Sequence, residues 1–309
     1  MSDQTLAFVF PGQGSQKVGM LAELAEQHAV IKETFSEASD ALAYDLWDLI
    51  QNGQQEQLNL TETTQPILLT SSVALWRVWQ QQGGVQPSVL AGHSLGEFSA
   101  LVCAGSLSFT DAVTLVRDRG QFMQTAVAVG EGAMAAVLGL DDDVIVDICR
   151  QTGAEAVNFN SPGQVVIAGK VAAIDQAIDL LKQAGAKRAM PLPVSAPFHT
   201  TLMRPAGEKL AEKVAELTIG APAIPVVHNV HAQTESDPEK IKTLLVEQIY
   251  SPVKWTNCIQ TMVAMGISKT LECGPGKVLG GLSRRIDRSL TSLSIEDPAG
   301  LEKSLAECQ

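Results

Sequence analysis

Residues 6–10, Leu6-Ala7-Phe8-Val9-Phe10, form an unbroken apolar run between Thr5 and Pro11, the pattern of a strand buried on both faces. The run stops at a glycine-rich loop, Pro11-Gly12-Gln13-Gly14-Ser15-Gln16. Helical spacing follows over about 18–29 and 31–43. A longer helical pattern starts at Pro66, which suits a first helical position, and ends before Gly83-Gly84. Ser88-Val89-Leu90-Ala91 then reads as a second buried strand, feeding a helix over 95–105. Buried strands alternating with helices predict a parallel sheet covered on both sides.

The pattern changes over 131–195. A small-residue strand at 132–140 precedes a helix at 141–152, strands at 156–159 and 164–168 flank Asn160-Ser161-Pro162-Gly163, and a helix at 170–184 leads to a strand at 188–194. That order, βαββαβ, is the ferredoxin-like arrangement complete within one segment. The expected fold is therefore α/β: a hydrolase-like, parallel-sheet large domain formed by 1–130 and 196–309, with an inserted ferredoxin-like small domain at 131–195. The large domain resumes with helices near 203–217 and 238–250, a strand at 224–230, and a strand at 267–273 leading into Gly274-Pro275-Gly276.

The corner between the second strand and its helix reads Gly92-His93-Ser94-Leu95-Gly96. This Gly-x-Ser-x-Gly turn, in a strand-to-helix context, is a nucleophile elbow: it projects the Ser94 hydroxyl, and the next N–H opens a helix N-terminus. The other glycine-rich loop, after Phe10, lacks the third glycine of a dinucleotide fingerprint and the Gly-Lys-Ser/Thr of a phosphate loop, so nucleotide binding is not expected.

Composition narrows the class. With 309 residues, 45% of them hydrophobic, the chain can bury a large core. Five scattered cysteines without Cys-x-x-Cys spacing point to neither a disulfide framework nor a thiolate metal site, and fit a cytoplasmic setting. No apolar run reaches membrane-spanning length, and the first residues lack a signal-peptide pattern. A net charge of −12 disfavours nucleic acid as a partner, and no membrane partner is expected.

A serine nucleophile needs a base, and there are five histidines. His28 falls in a surface helix pattern, and His93 lies within the elbow, on the side away from Ser94. His228 and His231 are three apart in a segment read as extended, where they would face opposite sides and make no metal pair. His199 remains, at the junction after the inserted segment and following the serine in chain order. Arg119 is the other telling residue. It falls in the middle of the apolar stripe Ala112, Val113, Val116, Gly120, Met123, so its guanidinium faces the interior and requires either a buried carboxylate or an anionic substrate.

Six segments together carry a family resemblance: 8–16, Gly92-His93-Ser94-Leu95-Gly96-Glu97, Arg119-Gly120, Asn158-Phe159-Asn160-Ser161-Pro162-Gly163-Gln164, Pro197-Phe198-His199 and Glu272-Cys273-Gly274-Pro275-Gly276. In this order, spanning nearly the whole chain, they resemble the malonyl-CoA:acyl carrier protein transacylases of bacterial type II fatty-acid synthesis. The resemblance implies a malonyl group carried on Ser94 between coenzyme A and the phosphopantetheine thiol of acyl carrier protein, with no metal and no cofactor beyond the coenzyme A thioester. It further implies His199 as the base and the backbone N–H groups of Gln13 and Leu95 as an oxyanion hole. Gln248 would orient His199, by its backbone or its side chain, where a hydrolase has a carboxylate. Arg119 would bind the malonyl carboxylate, and Phe198 would narrow the cleft beside the malonyl methylene. A polyketide malonyl acyltransferase would share these motifs, and a serine thioesterase or esterase would share the elbow but offer Arg119 no anion. Because such carrier proteins are acidic, docking would need a local basic patch, with Lys187-Arg188 or Lys277, Arg284, Arg285 and Arg288 as candidates.

Overall fold

The computed structural model describes residues 2–194 and 196–308, with side chains described from Thr5 onward. Strand β1 (Ser2–Phe10) precedes four short helices, α1 (Ala22–Gln27), α2 (Ala29–Leu42), α3 (Leu46–Asn52) and α4 (Gln55–Leu58), and the long α5 (Thr61–Gln81). Next come β2 (Gln86–Gly92), α6 (Leu95–Cys103) and α7 (Phe109–Thr125). A second run follows: β3 (Gly132–Leu138), α8 (Asp142–Thr152), β4 (Glu155–Ser161), β5 (Gln164–Lys170), α9 (Val171–Gln183) and β6 (Arg188–Pro191). The chain closes with α10 (Arg204–Glu216), β7 (Val226–Val227), α11 (Pro238–Glu247), α12 (Trp255–Ala264), β8 (Lys269–Glu272), α13 (Val278–Ile286), β9 (Thr291–Ser294) and α14 (Pro298–Glu307).

The fold is α/β with two sheets. The larger has order β7-β2-β1-β8-β9 with every neighbouring pair parallel. Its two faces are separately buried: Phe8, Phe10 and Leu90 join one hydrophobic cluster, while Ala7, Val9, Val89 and Ala91 join another. Alternate residues of one strand thus meet helices on opposite sides, which is why residues 6–10 are apolar without a break. The smaller sheet is antiparallel, order β4-β5-β3-β6, the ferredoxin-like arrangement read from the βαββαβ pattern. One face packs Ala135, Val137 and Ile167 against Ile145 and Ile178 of its two helices. From the other, Met134, Val166 and Ala168 enter the large core.

Several boundaries differ from the sequence reading. The first helix begins at Ala22 rather than 18, because Gly19 and Leu21 adopt left-handed φ values of 80° and 63°. His28 lies outside that helix, extended between α1 and α2. The long helix starts five residues before Pro66, its first turn built by the Leu60 carbonyl accepting from Thr63 and Thr64 N–H, and by the Thr64 hydroxyl donating to the Leu58 carbonyl. The strand expected over 224–230 shrinks to Val226–Val227, because the chain turns at His228 as Ala232 N–H donates to the His228 carbonyl at 2.9 Å. Strand β6 stops at Pro191, short of 194. The boundary residue Ser195 lies outside the described residues. Among the described residues no helix is long and apolar enough to cross a membrane.

Candidate active site

Both glycines of the elbow are required by backbone approach. A Cβ on Gly92 would sit 1.9 Å from the Gly96 carbonyl, and one on Gly96 would sit 2.1 Å from the Phe10 carbonyl. With both present, β2 turns sharply into α6, and Ser94 between them takes φ 50°, ψ −107°. That conformation is strained for a residue with a side chain and persists only where surroundings impose it. Asn229 does so: its Oδ1 accepts from Ser94 N–H at 2.8 Å, and its Nδ2 donates to the Gly92 carbonyl at 2.8 Å.

His199 is buried and has positive φ, 63°. Its Nε2 lies 2.8 Å from Ser94 Oγ, and its Nδ1 lies 2.8 Å from the Gln248 backbone carbonyl. A carbonyl only accepts, so Nδ1 carries the ring proton and donates, leaving the Nε2 lone pair for the serine O–H. The backbone of Gln248 therefore orients the ring.

Burial, and then the charge of Arg119, hold His199 far below its usual 6.5, at about 3. A depressed value favours neutral imidazole, so the Nε2 lone pair stays free across the whole neutral range. Any reaction that uses this imidazole as its base is expected to keep a flat pH–rate profile from pH 8 to 5, and an inflection near 6.5 would contradict this. Below 6.5 the unfolded chain takes up a proton that the native site refuses, so this histidine also costs stability as pH falls toward 3.

Arg119 on α7 is 1% exposed. Nη1 donates to Gln65 Oε1 at 2.7 Å, and Nη2 donates to Gln248 Oε1 at 2.8 Å and Ser94 Oγ at 3.1 Å, while Phe98 lies under the guanidinium. Every one of these acceptors is neutral, so among the described residues no carboxylate hydrogen-bonds the buried cation, and the charge of Glu97 reaches it only from behind Gln248. Burial draws it down to about 9, still protonated at neutral pH.

The glycine-rich loop after β1 reaches this site through its backbone. His93 N–H donates to the Phe10 carbonyl at 3.0 Å, and a Cβ on Gly12 would meet the His93 carbonyl at 2.6 Å. A cavity of about 140 Å³ results, lined by Gln13, Ser94, Leu95, Arg119, Phe198 and His199, with Gln65 and Met123 at one side and Met134, Asn158, Leu192 and Val194 from the smaller sheet and its exit. Of the seven candidate catalytic, oxyanion-hole and substrate residues, all border this cavity except Gln248, which lies behind it holding His199 and Arg119. The arrangement offers a hydroxyl with an imidazole nitrogen on its oxygen and a buried cation in the same cavity wall, with Gln13 and Leu95 also lining it.

Three groups went unread in the sequence. Asn229 braces the elbow, Gln65 holds Arg119, and Glu97 lies buried against Asn229 and Gln248. Nothing local marks Asn229, 135 residues from Ser94, or Gln65, 54 from Arg119; Glu97 ends the elbow motif, but its partner Gln248 is 151 residues away. His228 and His231 also depart from expectation, since the turn between them brings their rings to 5.9 Å instead of placing them on opposite sides. His228 Nδ1 instead meets Glu97 Oε1 at 2.8 Å. His93 Nε2 lies 2.8 Å from Asn160 Oδ1, and His93 borders the same cavity as Ser94 instead of lying away from it.

The acyl transferase domain model matches residues 7–283. The chain belongs to the acyl transferase family. Within that family, it is 55% identical over 305 residues to the malonyl CoA-acyl carrier protein transacylase of Salmonella typhimurium, covering 97% of this chain and 99% of the relative. Among solved structures, the acyl carrier protein S-malonyltransferase of Vibrio cholerae superposes with TM-score 0.95 at 57% identity, covering 97% and 99% of the two chains. A malonyl-transacylase solved in complex with its type II polyketide acyl carrier protein superposes with TM-score 0.96 at 51% identity, covering 98% and 99%. As an acyl transferase with this fold, the chain presents its elbow serine in the cleft between the two sheets.

Proposed function

We propose that this chain transfers the malonyl group of malonyl-CoA to the phosphopantetheine thiol of acyl carrier protein, supplying malonyl carrier protein for fatty-acid elongation. One observation carries the reading: a fully buried arginine without a carboxylate partner reaches the nucleophile itself. A buried cation left unpaired costs several kcal/mol, and a substrate carboxylate removes that cost. Esters and simple acyl thioesters bring no such anion, which disfavours the esterase and thioesterase readings. The relatives' names agree with malonyl as the acyl group, and most of them name no polyketide carrier, although one structure at 51% identity does.

In this mechanism His199 Nε2 takes the Ser94 proton as Oγ attacks the malonyl thioester carbonyl. The Gln13 and Leu95 N–H groups donate to the developing oxyanion, and coenzyme A leaves as its thiol with the proton held by His199. The malonyl-serine ester is then attacked by the carrier thiol through the same steps in reverse. The Gln248 carbonyl fixes the ring tautomer without adding a negative charge, so imidazolium forms only while the oxyanion faces it. Arg119 holds the malonyl carboxylate, and Phe198 crowds the methylene. Incubation with malonyl-CoA followed by mass spectrometry is expected to place one malonyl group on the peptide containing Ser94, discharged by a carrier thiol faster than by water. No adduct, or discharge to water at the same rate, would overturn the reading.

The division into 1–130 with 196–309 and an inserted 131–195 is part of the same proposal, supported by the smaller sheet's own hydrophobic cluster. So are a cytoplasmic location and the carrier-docking patch. Lys277 is occupied by Glu296 at 3.1 Å and Asp297 at 3.4 Å, which leaves Arg284, Arg285, Arg288, Lys187 and Arg188 as exposed cations. Arg285 Nη1 donates to Gln164 Oε1 at 2.6 Å, which ties α13 to the first residue of β5. Reversing the charge of Arg284 and Arg285 together is expected to lower kcat/KM for the carrier protein about 10-fold or more at low salt, with coenzyme A release unaffected. Equal loss in both half-reactions would count against this docking face.

A further inference from the structure

We propose that Glu97 is a positioning residue for the transfer reaction: its buried carboxylate sets the orientation of the Gln248 side-chain amide and, through that amide, aims the Arg119 guanidinium at the acyl cavity. This rests on the malonyl-transfer reading above. Glu97 follows Ser94 by three residues on α6 and is 0% exposed. Its Oε1 meets His228 Nδ1 at 2.8 Å, and its Oε2 accepts from Asn229 N–H at 2.9 Å and from Gln248 Nε2 at 2.8 Å.

A glutamine amide has one donating and one accepting end. Gln248 Nε2 faces two acceptors, Glu97 Oε2 and the Ser94 carbonyl at 3.1 Å, so Oε1 is turned toward Arg119 Nη2 at 2.8 Å. A reversed amide would press its NH2 against the guanidinium and its oxygen against the carboxylate, two contacts of like polarity in a buried site. The carboxylate therefore selects one amide orientation, and that orientation selects the direction of the guanidinium. The charge of Glu97 also favours the protonated arginine from one residue away. A second branch runs through Asn229, whose N–H is held by Glu97 and whose side chain braces the Ser94 turn.

Three substitutions separate these effects. Glu97→Met keeps the volume but removes the acceptor. Glu97→Asp keeps the charge but withdraws it by a methylene, and serves if the methionine variant does not fold. Glu97→Gln can still accept from Gln248 and Asn229 while its NH2 faces His228, whose Nε2 has no partner among the described residues and can take the ring proton instead.

Coenzyme A release from malonyl-CoA and from acetyl-CoA is the readout. Glu97→Met and Glu97→Asp are expected to lower kcat/KM for malonyl-CoA about 10–100-fold, mostly through KM, the scale on which supporting shells act. For acetyl-CoA, which has no carboxylate for Arg119 to find, the loss should be at least about tenfold smaller. Glu97→Gln should recover most of the malonyl rate. Equal losses for the two substrates, or a Glu97→Gln variant as impaired as Glu97→Met, would overturn the proposal. Wild-type protein that takes no malonyl label would instead refute the underlying function.

Discussion

Replacing Ser94 by alanine is expected to abolish malonyl transfer, with a loss of about 10⁶-fold in kcat, the scale seen when a serine nucleophile is removed. The fold should survive. Asn229 accepts from the Ser94 backbone N–H rather than from the hydroxyl, and the elbow's tight approaches involve Gly92 and Gly96. Alanine keeps the Cβ and loses only Oγ, which touches His199 Nε2 and Arg119 Nη2 at the cavity wall. The measurements are the burst of coenzyme A release, the mass of the protein after malonyl-CoA, and the melting temperature. A variant with a normal burst and an adduct elsewhere would show that the elbow serine is not the nucleophile.

For Arg119→Ala the expected result is a split between substrates. Malonyl transfer should fall by about 2–5 kcal/mol in kcat/KM, the penalty for leaving a buried substrate charge unpaired. Acetyl transfer should be spared or improved. In the free enzyme the guanidinium is a buried cation with only neutral partners, and it helps pull His199 down to about 3. For acetyl-CoA nothing repays that desolvation, and removing the cation makes the neighbouring imidazole a stronger base. A purely structural arginine would behave otherwise, with equal losses for both thioesters and a clear fall in melting temperature. Measuring kcat/KM for malonyl-CoA and acetyl-CoA in both proteins decides between the two.

What could be read in advance was local. Gly92-x-Ser94-x-Gly96 is legible because the strain and its relief lie within five residues, and the backbone approaches of 1.9 and 2.1 Å show why no other residue type would serve. Arg119 is legible because helical periodicity alone points it inward. The order βαββαβ sufficed for the smaller sheet, since its neighbours follow from chain order and handedness. The resemblance named His199 and Gln248 but left open which part of the glutamine meets the imidazole.

Element ends were less accessible. The first turn of α5 includes Thr64 bonding to the Leu58 carbonyl, ahead of Pro66, and β7 is cut short by a turn in which Asn229 is the one turn-favouring residue within an otherwise strand-like run. The sequence by itself thus determined the class of fold, the nucleophile's corner and the inward-facing cation. Only the tertiary structure decided the web beneath them: Asn229 on Ser94, Gln65 and Gln248 on Arg119, and Glu97 joining Gln248, Asn229 and His228. The physical reason is separation along the chain, from 54 to 151 residues for those contacts on Arg119 and Glu97. Periodicity reports which way a side chain faces, but the partner it meets there is set by how distant elements pack.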